Sequence, residues 1–209
     1  MLISSIEGRV TDILMGQTYR ENKNEISLGI FVMRTEYLRS LVDKAEAYNL
    51  SSLSALMLKN CKTENYRTYK FSGYFARVSS FLEYYRCSME LSHNESARES
   101  LLWKKDAPIF TKVNNSSPTK YTDSASVKSS MIADDSVIEG TVIGSVIFRG
   151  VHVEKGAIVK NSVLFRGTRV GKGAELDSIV CDVDVDVSEK VKLSGSENMP
   201  FYIPKGRRV

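Results

Sequence analysis

Ser145-Val-Ile-Phe-Arg-Gly-Val-His-Val-Glu-Lys-Gly-Ala-Ile-Val-Lys-Asn161 runs straight into Ser162-Val-Leu-Phe-Arg-Gly-Thr-Arg-Val-Gly-Lys-Gly-Ala-Glu-Leu-Asp-Ser178, and nine of the 17 aligned positions are identical. Around this repeat an apolar residue returns every five or six positions, at Val127, Ile132, Val137, Ile143, Phe148, Val153, Val159, Leu164, Val170, Leu176, Cys181 and Val187. That spacing is neither the 2 of a strand nor the 3.6 of a helix. A period near six, with Gly and Asn between, means one short strand on each face of a triangular prism, closing a coil every ~17 residues. The expectation is a parallel β-helix of about four coils over residues 124–195, followed by a cap or tail at 196–209 in which Pro200 to Pro204 cover one end.

Upstream the chain changes character. Residues 102–123 contain Pro108, Pro118 and the run Asn114-Asn-Ser-Ser117, which leaves no room for a helix and predicts an extended linker. Residues 1–101 read as mixed α/β. Leu2-Ile3 and Val10 to Leu14 form a hairpin about Glu7-Gly8, and Ile26 to Met33 forms a buried strand. Thr35 caps a helix with Leu38, Leu41, Val42 and Ala45 on one face, and Leu53, Leu56 and Met57 mark a second. Tyr66–Phe71 and Tyr74–Val78 make another hairpin about Ser72-Gly73. Ser80 to Glu83 is a capping box for a helix with Leu82, Tyr85 and Met89 inward, and a polar stretch, Ser92 to Ser100, ends the segment.

Composition narrows the class. The 209 residues are 42% hydrophobic and 26% charged, as in folded soluble domains, which excludes disordered and collagen-like chains. The longest aliphatic or aromatic run, Ile30-Phe-Val-Met33, cannot span a bilayer, and Met1 to Val10 has no signal-peptide pattern. Cys61, Cys87 and Cys181 are an odd number without metal-type spacing, so free thiols in a reducing, cytoplasmic compartment are expected. Lys plus Arg (29) barely exceed Asp plus Glu (25), and no basic stripe points to nucleic acid.

Three stretches carry a likeness. Ile26-Ser-Leu-Gly-Ile-Phe-Val-Met33, Gly73 to Tyr85, and Ala107-Pro-Ile-Phe-Thr-Lys-Val-Asn-Asn-Ser-Ser-Pro-Thr-Lys-Tyr121 together resemble the C-terminal part of bacterial glucose-1-phosphate adenylyltransferase, the ADP-glucose-forming family. The resemblance implies that residues 1–101 are the C-terminal half of a Rossmann-like nucleotidyltransferase domain and that the β-helix is left-handed. The family's Gly-rich phosphate loop and its Glu-Lys-Pro motif have no counterpart here, so the chain reads as a C-terminal fragment.

Within that family the likeness is closer to the non-catalytic GlgD-type branch. Alignment on Val78 and the Tyr84-Tyr85 pair puts Arg77 where the catalytic branch has a magnesium-binding Asp, with Ser79-Ser80 in place of Gly-Thr. A guanidinium cannot ligate a cation. No cofactor is therefore expected in this chain, with magnesium left to a catalytic partner; Asp43 and Glu83 are the alternative carboxylates. The resemblance also implies a regulatory or structural subunit that pairs through its β-helix with a catalytic subunit or with itself, and responds to a sugar-phosphate effector.

The remaining candidates are few. Ser27 aligns with a serine near the glucose phosphate, and could equally serve the backbone. Arg149 with Arg166, and Lys155 with Lys172, fall at equivalent repeat positions and should stack into basic ladders for an effector or a subunit. His93 and His152 are the only histidines. His152 would be the general base if the chain were a hexapeptide acyltransferase, but its alignment with Arg169 predicts an outward side chain. A truncated but active adenylyltransferase is the other enzyme reading.

Overall fold

The computed structural model describes residues 1–14, 25–50, 52–112 and 114–209, which form two compact units, Met1–Ser72 and Gly73–Val209. The division falls well before residue 101.

In the first unit β1 (Leu2–Ile6) and β2 (Arg9–Leu14) are antiparallel, joined through Glu7 and Gly8, both at positive φ (51° and 77°). Positive φ at both positions is what matches a two-residue turn to the twist of its strands. A short β3 (Glu25–Ile26) pairs with the other edge of β1, giving the order β2-β1-β3. Two helices follow, α1 (Thr35–Ala47) and α2 (Leu53–Asn60). Val10, Ile13 and Cys61 form the core cluster, and Leu2, Leu41 and Leu56 are also buried.

Several expectations fail in this unit. The Ile26–Met33 strand stops after Ile26, leaving Ile30 77% and Val32 98% exposed, because beyond Ser27 no strand among the described residues pairs with the run. The α1 cap position is Arg34, without a side-chain bond, and not Thr35; only Leu41 of the predicted apolar face is buried. Tyr66 to Thr68 pair with the first hairpin instead of with Tyr74–Val78: the Val10 amide donates to the Tyr66 carbonyl at 2.9 Å and the Thr68 amide to Gly8 at 2.8 Å.

The second unit is a β-solenoid. One face stacks Lys120–Tyr121, Val137–Ile138, His152–Val153, Arg169–Val170 and Asp186–Val187; the second stacks Ser126–Lys128, Thr141–Ile143, Ile158–Lys160, Glu175–Asp177 and Lys192–Ser194. The third stacks Met131–Ile132, Val146–Ile147, Val163–Leu164, Ile179–Cys181 and Phe201–Ile203. All pairings are parallel, and inward side chains sit on their equivalents in the next coil: Ile138 on Val153 on Val170 on Val187, and Ile147 on Leu164 on Cys181. At one coil the inward residues are Ile138, Val142 and Ile147, each next to the expected Val137, Ile143 and Phe148. The cause is a tight corner. Glu139-Gly140 spans with two residues what Glu154–Ala157 spans with four in the next coil, and a Cβ on Gly140 would lie 2.4 Å from the Ala157 carbonyl oxygen.

Two helices pack with the solenoid. The first, α3 (Phe81–His93), starts as expected: the Glu83 amide donates to Ser80 Oγ at 3.1 Å. The polar stretch Ser92–Ser100 is almost wholly helical. Asn94 caps a second helix, α4 (Glu95–Leu102), which buries Ala97 and whose Arg98 guanidinium donates to the Leu91 and Ser92 carbonyls at 2.9 and 2.7 Å. Residues 103–112 and 114–119 form no helix or strand, and the chain turns at 105–107 instead of running fully extended. At the other end Phe201–Ile203 completes the third face, and the Val209 amide donates to Asp186 beyond the first.

Candidate functional site

One solenoid corner is built from residues that can turn sharply. Ser129, Gly144, Asn161 and Ser178 stack there, all at positive φ, and Asn is among the few side-chain-bearing residues that adopt that conformation readily. Beside them runs a serine ladder. Ser130, Ser145 and Ser162 each donate a hydroxyl hydrogen to a carbonyl of their own coil and accept from the amide of Ser145, Ser162 and Ile179, at 3.2, 3.1 and 3.0 Å. The corner's buried amides are thereby satisfied without a longer side chain.

Helix α3 lies along this corner. Tyr85, fully buried against Val163 and Val180, donates its hydroxyl to the Asn161 carbonyl at 2.7 Å, and Ser92 donates to the Ser129 carbonyl at 2.9 Å. Tyr84 stacks on Phe165, which stacks on Phe148 at 4.7 Å. Burial raises the pKa of both tyrosines, so the hydroxyls stay protonated donors.

Between α3 and the corner opens a cleft of about 560 Å³ lined by Tyr85, Arg86, Met89, Glu90, His93, Asn161, Ser178 and Glu197. Arg86 donates to the Asn198 side-chain oxygen at 2.7 Å, and Tyr74 donates to Glu90 at 3.2 Å; burial first, then the Glu90 charge, pushes the Tyr74 hydroxyl up to about 12. Asn161 Nδ2 donates to Asp177 at 3.1 Å. Nothing in the sequence marked this cleft, since its walls come from segments far apart in the chain; the one available signal was the alignment of Asn161 with Ser178 at the end of each repeat.

The residues singled out in the sequence do not gather at one place. Arg77 is exposed, and its charge helps to hold the nearby Glu83 carboxyl below its usual range, though hydrogen bonds from the Ser79 hydroxyl and amide are the larger causes. With Glu83 so engaged and a guanidinium beside it, this segment does not suit a magnesium ion. Asp43 is exposed on α1, and no group of three or more His, Cys, Asp or Glu side chains able to hold a metal exists among the described residues. Ser27 serves the backbone: its Oγ accepts from Gly29 at 3.2 Å, where φ is 75°.

Arg149 and Arg166 stack through the Gly167 amide bonded to the Arg149 carbonyl at 3.2 Å, and both side chains are exposed, as are those of Lys155 and Lys172. His152 lies opposite Arg169 in the strand register, as the repeat predicts; its Nε2 is 3.7 Å from Glu139 and has no hydrogen-bond partner. Neither of the two clefts described on the solenoid is lined by His152. Of the free cysteines, Cys181 is buried in the solenoid core, and its thiol is pushed up to about 12 by that burial.

Residues 115–198 match the family described as GlmU-like, C-terminal hexapeptide. The chain is 37% identical to the glycogen biosynthesis protein GlgD of Bacillus subtilis (strain 168), over 86% of its own length and 52% of that protein. It is 45% identical to the GlgD of Geobacillus stearothermophilus over 57% of the chain and 34% of that protein. A glucose-1-phosphate adenylyltransferase of Thermosipho africanus (strain TCF52B) is 26% identical over 77% of the chain and 39% of the enzyme. The chain thus spans about a third to a half of the length of these curated relatives. No helix among the described residues is long and apolar enough to cross a membrane.

Proposed function

We propose that this chain, a relative of GlgD and of the glucose-1-phosphate adenylyltransferases, is a non-catalytic structural or regulatory part of an ADP-glucose-forming assembly in glycogen biosynthesis. The observation that carries the reading is Arg77. It stands in the segment that aligns with the magnesium-binding motif of the catalytic branch, and the carboxylate its charge acts on, Glu83, is spent on the capping box of α3. Adenylyl transfer asks for a cation to offset charge developing on the leaving pyrophosphate, and a fixed guanidinium opposes that cation.

The partner is a catalytic glucose-1-phosphate adenylyltransferase, met through the solenoid in the cytoplasm. A stack of coils has a free strand edge at Ser126–Lys128 and Met131–Ile132 and a rigid lateral surface, both suited to a homologous solenoid. The exposed ladders Arg149–Arg166 and Lys155–Lys172 are the candidate contact for an acidic surface or a phosphate-bearing effector. Light scattering on an equimolar mixture with a catalytic relative tests this directly: a complex heavier than either component is expected, and strict monomers of both at micromolar concentration would end the proposal.

A further inference from the structure

The cleft between α3 and the solenoid corner has an unusual balance of hydrogen-bonding groups. His93 Nδ1 lies 2.7 Å from the Met89 carbonyl. A carbonyl oxygen only accepts, so Nδ1 carries the hydrogen, and in the neutral imidazole Nε2 is left as a bare acceptor. This nitrogen faces the corner: a Cβ built on Gly144 would fall 2.5 Å from it and 3.0 Å from Asn161 Oδ1. Glycine at 144 therefore lets the His93 ring lie against the corner backbone, which sets Nε2 beside Asn161 Oδ1 at the edge of the cleft. With Asn161 Nδ2 committed to Asp177, Oδ1 is the free end of that amide. Glu90 and Glu197 add carboxylate acceptors, and Arg86 is the one cationic donor in the lining.

A ligand matching this set brings several hydrogen-bond donors, tolerates two carboxylates and carries no phosphate, since Glu90 and Glu197 would repel one. It is larger than a single water, and it meets an apolar patch at Met89. Hydroxyl groups on a compact apolar ring meet all four conditions. We infer that this cleft is a binding site for a neutral saccharide, whose hydroxyls donate to His93 Nε2, Asn161 Oδ1, Glu90 and Glu197 while one ring oxygen accepts from Arg86. The choice of glucose units rests on the proposed role in glycogen synthesis; the chemistry of the cleft asks only for a neutral polyol. The site is separate from the Arg149 and Lys155 ladders, where a phosphate-bearing effector would be sought.

The probe is maltotriose, titrated into the full chain while the His93 ring resonances are followed by NMR. Saturable shifts with a dissociation constant in the millimolar range are expected, as befits a shallow site with few fully desolvated bonds. Glu197→Gln, on an exposed loop where the fold does not depend on it, should weaken binding about tenfold, the loss of one charge-assisted hydrogen bond. Gly144→Ala is the second variant: its methyl group would fall 2.5 Å from His93 Nε2, so it displaces the ring from Asn161 and should abolish binding, while retained solenoid circular dichroism shows the coils intact. Glucose 1-phosphate should bind this cleft more weakly than maltotriose, and spermidine should not shift His93. No saturable shift with maltotriose, preference for glucose 1-phosphate, a response to spermidine, or maltotriose shifts unchanged in both variants would overturn the assignment. Assembly with the catalytic partner would be untouched by that failure.

Discussion

The solenoid and the first 72 residues obey the same physics with opposite outcomes. In the inner coils of the solenoid an inward residue has an equivalent above and below, so Val142, Val153, Val159, Leu164 and Val170 are fully buried by neighbours of their own kind. In residues 1–72 the apolar residues depend on partners that differ at each position, and where none is present Ile30 and Val32 stay in solvent. Stacked repetition makes burial independent of distant chain; a small mixed sheet with few buried residues cannot achieve that. The unpaired run is also where the unit is most open to pairing with further polypeptide.

The widest contrast should come from truncations. Leu164→Ala removes a side chain enclosed on all sides and should destabilise the second unit by about 2–5 kcal/mol, whereas Val32→Ala should change the stability of the first by less than about 0.5 kcal/mol, both read from denaturant midpoints. Equal effects would erase the distinction between the regions. Next comes the serine ladder. Ser162→Ala leaves the Ile179 amide buried without an acceptor, at a cost of about 1–3 kcal/mol, while Ser27→Ala, whose hydroxyl meets an exposed turn amide, should fall within about 0.5 kcal/mol.

How much of this was legible beforehand follows the same division. The repeat 145–178 announced the coils because nine identities at a fixed spacing admit one stacking, and the positions that deviated did so beside Gly140, where a two-residue corner replaces a four-residue one. Ile26–Met33 had the composition of a buried strand but composition does not supply the neighbour that buries it. Ser92–Ser100 read only as a polar stretch, yet Asn94 caps a helix there that buries Ala97. Arg77 was singled out only by likeness to a family motif; the cleft had no such signal, because no local pattern links residues 85–93 with Asn161, Ser178 and Glu197.

Smaller effects sharpen the comparison. Ser80→Ala removes the α3 cap and should cost about 1 kcal/mol, seen as faster amide exchange in the first turn of that helix. The pH response should be weaker still. Glu83 and Asp182 both have folded pKa values held down, chiefly by hydrogen bonds from Ser79 and Tyr202 respectively, so their contribution is complete above the unfolded carboxylate range and is lost as pH falls through the lowered values. A shallow loss of stability below about pH 4 is expected, carried by the second unit, and Glu83→Gln should flatten its share. Cys181, by contrast, should resist thiol reagents at neutral pH until the solenoid unfolds, because its buried thiol is not ionised there.

The central claim is that this chain contributes assembly and not adenylyl transfer. Its most direct test is pyrophosphate release from ATP and glucose 1-phosphate with magnesium, measured for the chain alone, for a catalytic glucose-1-phosphate adenylyltransferase alone, and for the two together. The prediction is background release from the chain, unchanged by Arg77→Asp, and an altered apparent substrate affinity of the catalytic enzyme in the mixture. Magnesium-dependent release by the chain alone, above the uncatalysed rate and requiring glucose 1-phosphate, would contradict it.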